Sequence, residues 1–213
     1  MDLFTLIARE RVQLADLLSG LTPAQWQTPS LCPPWTVREV AAHLDLPFLV
    51  GVRKALWALV RAGFGFDRWT ELLTAEQAVR PTAELVDILR RNAGHRFVPP
   101  GGGPEAPLTE VVVHGLDIRR PLGLDHPTPP DCARVVLDFL AAAQPRGHTR
   151  EAWRKGLRFE ATDLDWSHGD GPLVRGDGDG LMLALTGRVP MLADLHGEGV
   201  DVMRRRMSPD RKA

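Results

Sequence analysis

The segment formed by residues 108–123 restricts the fold more than any other part of the chain, because it places ion-binding side chains at regular spacing. Its sequence, LTEVVVHGLDIRRPLG, has Glu110, His114 and Asp117 at positions i, i+4 and i+7. Residues four apart lie about 6 Å from each other on one face of a helix, but about 13 Å apart on a strand. The three valines favour a strand, whereas the apolar residues beside the polar line recur at helical period. We therefore predict a helix on which a carboxylate and an imidazole lie close enough to bind one ion.

Length, charge and cysteine content limit the class of protein. The 213 residues suffice for one large domain or two small ones, each with a hydrophobic core. A formal net charge of −1, from 26 basic and 27 acidic residues, gives no basic surface of the kind that binds nucleic acid. The two cysteines, Cys32 and Cys132, form no paired motif, so neither a disulfide scaffold nor a cysteine-based zinc site is expected. A reducing, cytoplasmic environment fits this composition best.

The sequence shows no segment that would carry the chain into a membrane. It starts with MDLFTLIARER, which mixes acidic and basic residues where a signal peptide would be basic and then apolar. The most apolar run, residues 48–60, is interrupted by Arg53 and Lys54 and is shorter than the ~20 residues that span a bilayer. We predict that this run is a buried helix, that the protein has no membrane partner, and that it is a monomer or a homodimer.

Helical patterns dominate the chain before residue 122. Apolar residues recur every three or four positions over residues 2–20, which predicts an amphipathic first helix. Thr36 and Glu39 have the spacing of a capping box, which predicts that a helix begins at Val37. Further helices are expected to begin near residues 52, 82 and 108, with loops or a short helix over 63–81 and a loop over 98–107. A four-helix bundle is the natural architecture for this part of the chain.

After residue 126 the pattern becomes mixed. A helix is predicted around residues 135–140 and another over 181–185, with strands over 157–166, 172–175 and 191–195. The arginines at 204–206 are predicted to be a solvated terminus. The fold class is therefore predicted as α+β, with a helical-bundle domain over 1–125 and a small mixed α/β domain over 126–213.

Taken alone, the spacing of Glu110 and His114 is weak support for a metal site, because a charged, solvated helix face produces the same pattern. His43 projects to the side of the apolar stripe of the predicted second helix, where a histidine is usually a rim residue of the core. Together these residues supply two imidazoles and one carboxylate, which is the three-ligand set of a catalytic zinc with an open position. The residues themselves leave metal binding and a solvated face open as alternatives.

Two segments resemble the signature segments of the DinB-like mycothiol-dependent maleylpyruvate isomerase family. They are residues 21–44, LTPAQWQTPSLCPPWTVREVAAHL, and residues 109–123, TEVVVHGLDIRRPLG. Residues 157–203 also resemble the small C-terminal α/β domain of that family. The resemblance covers nearly the whole chain and is weakest over residues 50–105.

The resemblance implies a DinB-like four-helix bundle with a divalent metal, normally zinc, held at one end by His43, Glu110 and His114. It also implies mycothiol as a thiol cosubstrate. Zinc deprotonates a coordinated thiol, and the thiolate would add to a small electrophilic acid. Rotation and elimination would complete a cis-trans isomerisation, whereas a reaction that stops after addition would be S-transfer. No protein cysteine is needed in either case.

Three further residues are candidates for the reaction. Arg120 and Arg188 are expected to meet carboxylates of the substrate or the thiol, since guanidinium groups pair bidentately with carboxylates. Asp117 either orients a ligand imidazole or is a solvated residue. Two other functions stay open: a hydrolase that uses zinc-bound hydroxide, and a non-catalytic module that binds a small molecule or a partner.

Other residues that could suggest a site are predicted to be structural. Cys32 is expected to be a small buried hydrophobic residue. Residues 175–180, RGDGDG, lack the acidic pattern of a calcium loop and are predicted to be a turn. The remaining histidines are expected at the surface or in loops, namely His95, His126, His148, His168 and His196.

Overall fold

The computed structural model describes residues 2–99, 102–124, 126–142 and 149–208. These residues form twelve α-helices, one 3-10 helix and a three-stranded sheet. The prediction of an α+β protein, with a helical N-terminal part and a small α/β part, is confirmed. His148 lies outside the described residues, so its predicted surface position is not addressed.

The N-terminal part contains eight helices. They are α1 (Leu3–Ser19), α2 (Pro23–Trp26), α3 (Val37–Leu44), α4 (Leu46–Leu49), α5 (Val52–Arg61), α6 (Phe66–Gln77), α7 (Thr82–Arg91) and α8 (Ala106–Arg119). The C-terminal part combines helices with short strands. Its elements are α9 (Pro130–Ala141), α10 (Glu151–Arg154), β1 (Arg158–Ala161), β2 (Ser167–His168), β3 (Leu173–Gly176), α11 (Gly178–Leu185), a 3-10 helix (Val189–Ala193) and α12 (Glu198–Met207).

The chain forms two compact units. The first comprises Met1–Phe97 with Asp117–Asp125, and the second comprises Val98–Leu116 with His126–Ala213. The division falls inside α8, between Leu116 and Asp117, so this single helix belongs to both units. Whether residues 1–125 and 126–213 fold as separate domains stays a prediction.

Helix α3 begins at Val37, as the capping box predicted. The backbone N–H of Thr36 donates to the Glu39 carboxylate at 2.8 Å, which completes the reciprocal pair at the helix start. The helix buries Val37, Val40 and its two central alanines. It ends at Leu44, before Pro47, because the chain turns at Asp45 into the short helix α4.

The prediction of a buried helix over residues 48–60 is wrong. This stretch is divided between α4 and α5, and most apolar side chains of α5 lie in solvent. Ala58 is buried, in a small cluster with Leu46 and Leu73. The prediction of burial rested on hydrophobicity alone. In the structure, α6 covers only the side of α5 that carries Ala55 and Ala58, and the other apolar side chains stay exposed.

The C-terminal unit is built on a mixed sheet with the strand order β2-β1-β3. Strand β1 pairs antiparallel with β2 and parallel with β3. The indole N–H of Trp166 donates to Asp138 of α9 at 2.7 Å, which joins the sheet to that helix. Phe159 of β1 and the apolar side chains of α11 are buried in this unit.

Two details of the C-terminal prediction are wrong. Residues 191–195, predicted as a strand, lie mostly in the 3-10 helix, and His196 beyond them forms an isolated bridge with Arg175. The RGDGDG segment is the end of β3 and the start of α11, where Asp177 caps the helix by accepting from the Gly180 N–H at 2.5 Å. The arginines at 204–206 are exposed, as predicted, and lie in the last turn of α12, where basic side chains favour the carbonyl end of a helix.

Candidate metal centre

Helix α8 places Glu110 and His114 one turn apart, as predicted. Pro107 occupies the first turn, where a missing backbone N–H removes no helical bond. The Glu110 Oε2 atom lies 3.3 Å from His114 Nε2, with a half-buried carboxylate and a nearly buried imidazole. This face of α8 is therefore not the solvated surface that the sequence left open.

His43 lies in the last turn of α3 and is half-buried, which agrees with the predicted rim position. Its ring centroid lies 4.8 Å from that of Trp35, an aromatic residue in the connector before α3. The same connector is joined to α8, since the Leu31 N–H donates to the Asp117 carbonyl at 3.1 Å. The connector that carries Trp35 thus contacts both the His43 ring and the backbone of α8.

His43, Glu110 and His114 each offer one ligand atom, and these atoms all lie within 4.8 Å of one another. Bonds of ~2.0–2.2 Å put the donor atoms of a tetrahedral zinc site roughly 3.3–3.6 Å apart. The distance between Glu110 Oε2 and His114 Nε2 meets this value. Two imidazole nitrogens and one carboxylate oxygen are also a donor set that zinc accepts. The residues present thus fit a divalent metal.

A second group shares His114. Cys32, His114 and Asp117 also offer ligand atoms that lie within 4.8 Å of one another. Cys32 is half-buried, which corrects its prediction as a buried hydrophobic residue. Sequence spacing could not reveal its position, because Cys32 precedes α8 by more than 70 residues and lies in the connector before α3.

The structure places the three other predicted residues in different surroundings. Asp117 is completely buried on α8, which excludes the solvated role that the sequence left open. Arg120 is the first residue after α8 and is half-buried. Arg188 caps the 3-10 helix, and its guanidinium donates to the Thr186 carbonyl at 2.7 Å. His95, His126, His168 and His196 are exposed, as predicted.

Asp45, which sequence reasoning did not single out, follows α3 directly and is completely buried. Neither carboxylate oxygen has a hydrogen-bond partner among the described residues. Burial raises the pKa of Asp45 to about 8, while the positive charge of Arg80 acts in the opposite direction. The residue at the C-terminal end of α3, two positions after His43, is therefore a carboxyl group that favours its neutral form.

Comparison with known proteins relates this arrangement to one family. Residues 7–98 match the family model described as the mycothiol maleylpyruvate isomerase N-terminal domain. A crystal structure of the mycothiol-dependent maleylpyruvate isomerase aligns with a TM-score of 0.59 and 16% identity, over 88% of this chain and 90% of that chain. A crystal structure of a histidine-to-alanine mutant of that isomerase aligns with a TM-score of 0.57 and 16% identity, over 93% of each chain. A comparison with curated proteins finds no match.

The matched segment contains His43 and ends before α8, which carries Glu110 and His114. At 16% identity, the solved structures show a shared fold across both the helical and the mixed part of the chain. The resemblance read from the signature segments is thereby confirmed. Over residues 7–98 the chain thus resembles the mycothiol maleylpyruvate isomerase N-terminal domain, and it has the fold of the solved isomerase.

Proposed function

We propose that this protein is a metal- and thiol-dependent enzyme of the maleylpyruvate isomerase type. His43, Glu110 and His114 hold a divalent metal, zinc by the chemistry of the donor set, and mycothiol is the thiol. The substrate is a small electrophilic acid, which undergoes cis-trans isomerisation or S-transfer. The observation that supports this proposal most directly is the close approach of these three donor side chains in a chain that matches the isomerase family.

The chain's own residues would prepare the site. When bound, zinc supplies the positive charge that keeps a coordinated thiol in its thiolate form. Glu110, which is half-buried, contributes a negative ligand, and His114 contributes a buried one whose ring can move little. Three protein ligands leave one position for the thiol. Asp117, buried one turn beyond His114, is suited to position the His114 ring through its carboxylate.

Arg120 and Arg188 are proposed to bind carboxylates of the substrate or the thiol. Replacing either residue by alanine should raise KM for the acid by roughly ten- to a hundredfold, because one charge-assisted hydrogen bond is worth about 1.5–3 kcal/mol. The metal content should stay unchanged, since neither residue belongs to the donor group. Steady-state kinetics with varied acid and with varied thiol would show which carboxylate each residue meets. An unchanged KM for both would exclude this role.

The metal site is tested by elemental analysis of the purified wild type, His114→Ala and the control His168→Ala. His168 is exposed and lies in β2, outside the donor group, so its replacement should leave one equivalent of zinc in place. His114→Ala should lose the metal. Equal metal content in all three proteins would contradict the proposed ligands.

The thiol is tested by titrating the metal-loaded and the metal-free wild type with mycothiol. We expect binding to the metal-loaded protein and at least tenfold weaker binding to the metal-free one, because coordination provides most of the affinity. Turnover that persists without any thiol would instead indicate a hydrolase with zinc-bound hydroxide. Ligand binding with no turnover of any acid would indicate a non-catalytic module.

A further inference from the structure

The two helices α5 and α6 present a continuous set of exposed apolar side chains. On α5, Val52, Leu56, Trp57 and Val60 are between 59% and 75% exposed. Phe64 in the following turn is 72% exposed, and Phe66 at the start of α6 is 63% exposed. We name these six residues the α5–α6 apolar surface. Single exposed apolar residues are ordinary, but six within fifteen positions form a patch of the kind that marks a binding surface.

This surface is distinct from the side by which α5 joins the protein. The helix packs through Ala58 against Leu73 of α6, and its Ala55 carbonyl accepts a hydrogen bond from the Trp69 indole at 2.9 Å. At 100° per residue, Ala55 and Ala58 lie on one side of α5 and Val52, Leu56 and Val60 on another. The exposed side chains are therefore not part of the packing that holds α5 in place.

The turn between α5 and α6 carries Phe64, whose ring is exposed to solvent. Gly63 and Phe64 both have a φ of 63°, a left-handed conformation that suits glycine and is uncommon for a bulky side chain. Its cost at Phe64 is not recovered by burial, since the ring is exposed. Covering the exposed Phe64 ring with another apolar phase would remove its apolar surface from water, which is favourable.

Basic residues accompany the apolar surface. Residues 52–68 contain four basic side chains and one acidic one, a net formal charge of +3 in a chain whose total is −1. Arg53 and Arg68 are exposed, and the Arg61 guanidinium lies 4.8 Å from the Trp57 ring centroid. Lys54 is compensated by an ion pair with Glu76. Because Glu76 lies outside residues 52–68, this pairing leaves the stretch with a net charge of +2. The remaining cations lie beside the apolar side chains, so a partner that is both apolar and acidic complements this surface.

This combination favours an anionic lipid surface over a second copy of the chain. A two-fold symmetric dimer brings the same patch against itself, which would oppose arginine to arginine across a desolvated interface. An anionic bilayer offers acidic headgroups above an apolar phase, and amphipathic helices with Trp, Phe and Leu beside Arg and Lys bind it in the interface plane. Among the described residues, no helix combines the length and apolarity that crossing a bilayer requires. Interfacial binding requires neither.

We infer that the α5–α6 apolar surface docks on anionic membranes, so that the protein is peripherally bound. Arg53, Arg61 and Arg68 meet lipid phosphates while Leu56, Trp57 and Phe64 enter the boundary with the acyl chains. The sequence predicted no membrane partner because it lacks a spanning segment, and interfacial docking revises that expectation. The inference is independent of the proposed metal site, whose donor residues lie on α3 and α8.

The test is cosedimentation of the full-length protein with vesicles of phosphatidylcholine alone and with vesicles that also contain phosphatidylglycerol. We expect binding to the anionic vesicles that weakens as salt is raised. Leu56→Glu should reduce the partition coefficient by roughly tenfold or more, because it removes an apolar contact and adds a repelled charge. Val79→Glu is the matched control, since Val79 is 79% exposed but lies after α6, outside the surface. It should bind as the wild type does.

The electrostatic contribution to membrane binding is tested with two further variants. Arg53→Gln should weaken binding and reduce its salt dependence, whereas Arg205→Gln in α12, also exposed, should change neither. Equal binding to both vesicle types would overturn the inference of an acidic partner. Failure to bind vesicles would overturn it as well, and a dimer that Leu56→Glu dissociates in sedimentation velocity would assign the surface to a second copy instead.

Discussion

Two of the buried charged residues, Arg11 and Asp45, differ in how many hydrogen bonds the fold gives their side chains. Arg11 is 6% exposed, and its guanidinium donates to the backbone carbonyls of Ala93 at 3.1 Å and His95 at 2.8 Å. Burial lowers the pKa of Arg11 to about 10, which leaves it charged at neutral pH. The guanidinium therefore donates to backbone carbonyls that follow the end of α7. These carbonyls have no helical N–H to pair with. Asp45, by contrast, is buried without such partners among the described residues.

Arg11→Ala should destabilise the protein by roughly 2–4 kcal/mol, because it leaves buried carbonyls without donors and removes the stacking over Phe48. Arg91→Ala is the control, since Arg91 is exposed in the last turn of α7 and its loss should change stability little. Urea unfolding followed by circular dichroism would measure both. Equal midpoints for the two variants would show that the Arg11 hydrogen bonds contribute nothing.

Asp45→Asn should stabilise the metal-free protein near pH 8. The folded state keeps the Asp45 proton up to about pH 8, whereas the unfolded chain loses it near 3.8. Between these values the folded state binds more protons, so wild-type stability falls as pH rises, by an amount on the order of a few kcal/mol. Asparagine does not titrate, and its advantage should grow across this window. Unfolding free energies of both proteins at several pH values would measure it, and parallel pH profiles would contradict the prediction.

At this scale the sequence predicted what depends on local spacing. The proximity of Glu110 and His114 follows from helical geometry, and their placement beside His43 came from the family resemblance. The position of Cys32 beside His114 and the burial of Asp117 could not be predicted from the sequence. Both depend on the contact between the connector before α3 and helix α8.

At the scale of elements, helix starts were predicted well where a local signal exists. The Thr36–Glu39 capping box and the proline near the start of α8 act within a few residues, independently of the rest of the fold. The environment of α5 was predicted wrongly because an apolar composition does not say whether a neighbour covers it. The strand predicted at 191–195 is mostly a 3-10 helix in the structure. The apolar pattern did not distinguish the two, because Leu192 and Leu195 can be buried in either conformation.

Gly197 is one of the glycines of the C-terminal unit that should not tolerate a side chain. Its φ is +107°, and a Cβ atom there would lie 2.3 Å from the Leu173 carbonyl oxygen of β3. Gly197→Ala should therefore lower the unfolding free energy by roughly 2–4 kcal/mol. Gly94 has nothing within 4 Å of an added Cβ, so Gly94→Ala should be tolerated. Thermal unfolding would compare them, and similar midpoints would exclude a backbone constraint at the start of α12.

At the scale of the whole molecule, the α+β class followed from the change of pattern near residue 126, and the solved isomerase confirms it. The assignment of α8 to both compact units could not be predicted, because sequence patterns show where helices begin and not which parts of the chain they join. The cytoplasmic location stays a prediction.

If His43, Glu110 and His114 bind zinc, metal removal should weaken the fold as a whole. A ligand at 100 times its dissociation constant stabilises the folded state by about 2.7 kcal/mol. A chelator should therefore lower the melting temperature of the wild type, while His114→Ala should melt at the same temperature with and without the chelator. A chelator effect of equal size in both proteins would mean that the metal binds elsewhere.

The continuity of α8 across the two units has a consequence for dissecting the protein. A fragment limited to the family-matched segment, residues 7–98, would contain one of the three proposed ligands and lack the helix that carries the other two. Cleavage in the loop before α8 would likewise separate His43 from its proposed partners along the chain, although the two pieces could still associate. Mixing separately expressed pieces 1–97 and 98–213 should thus restore zinc binding that neither piece has alone, a complementation assay that reports assembly of the fold through the metal.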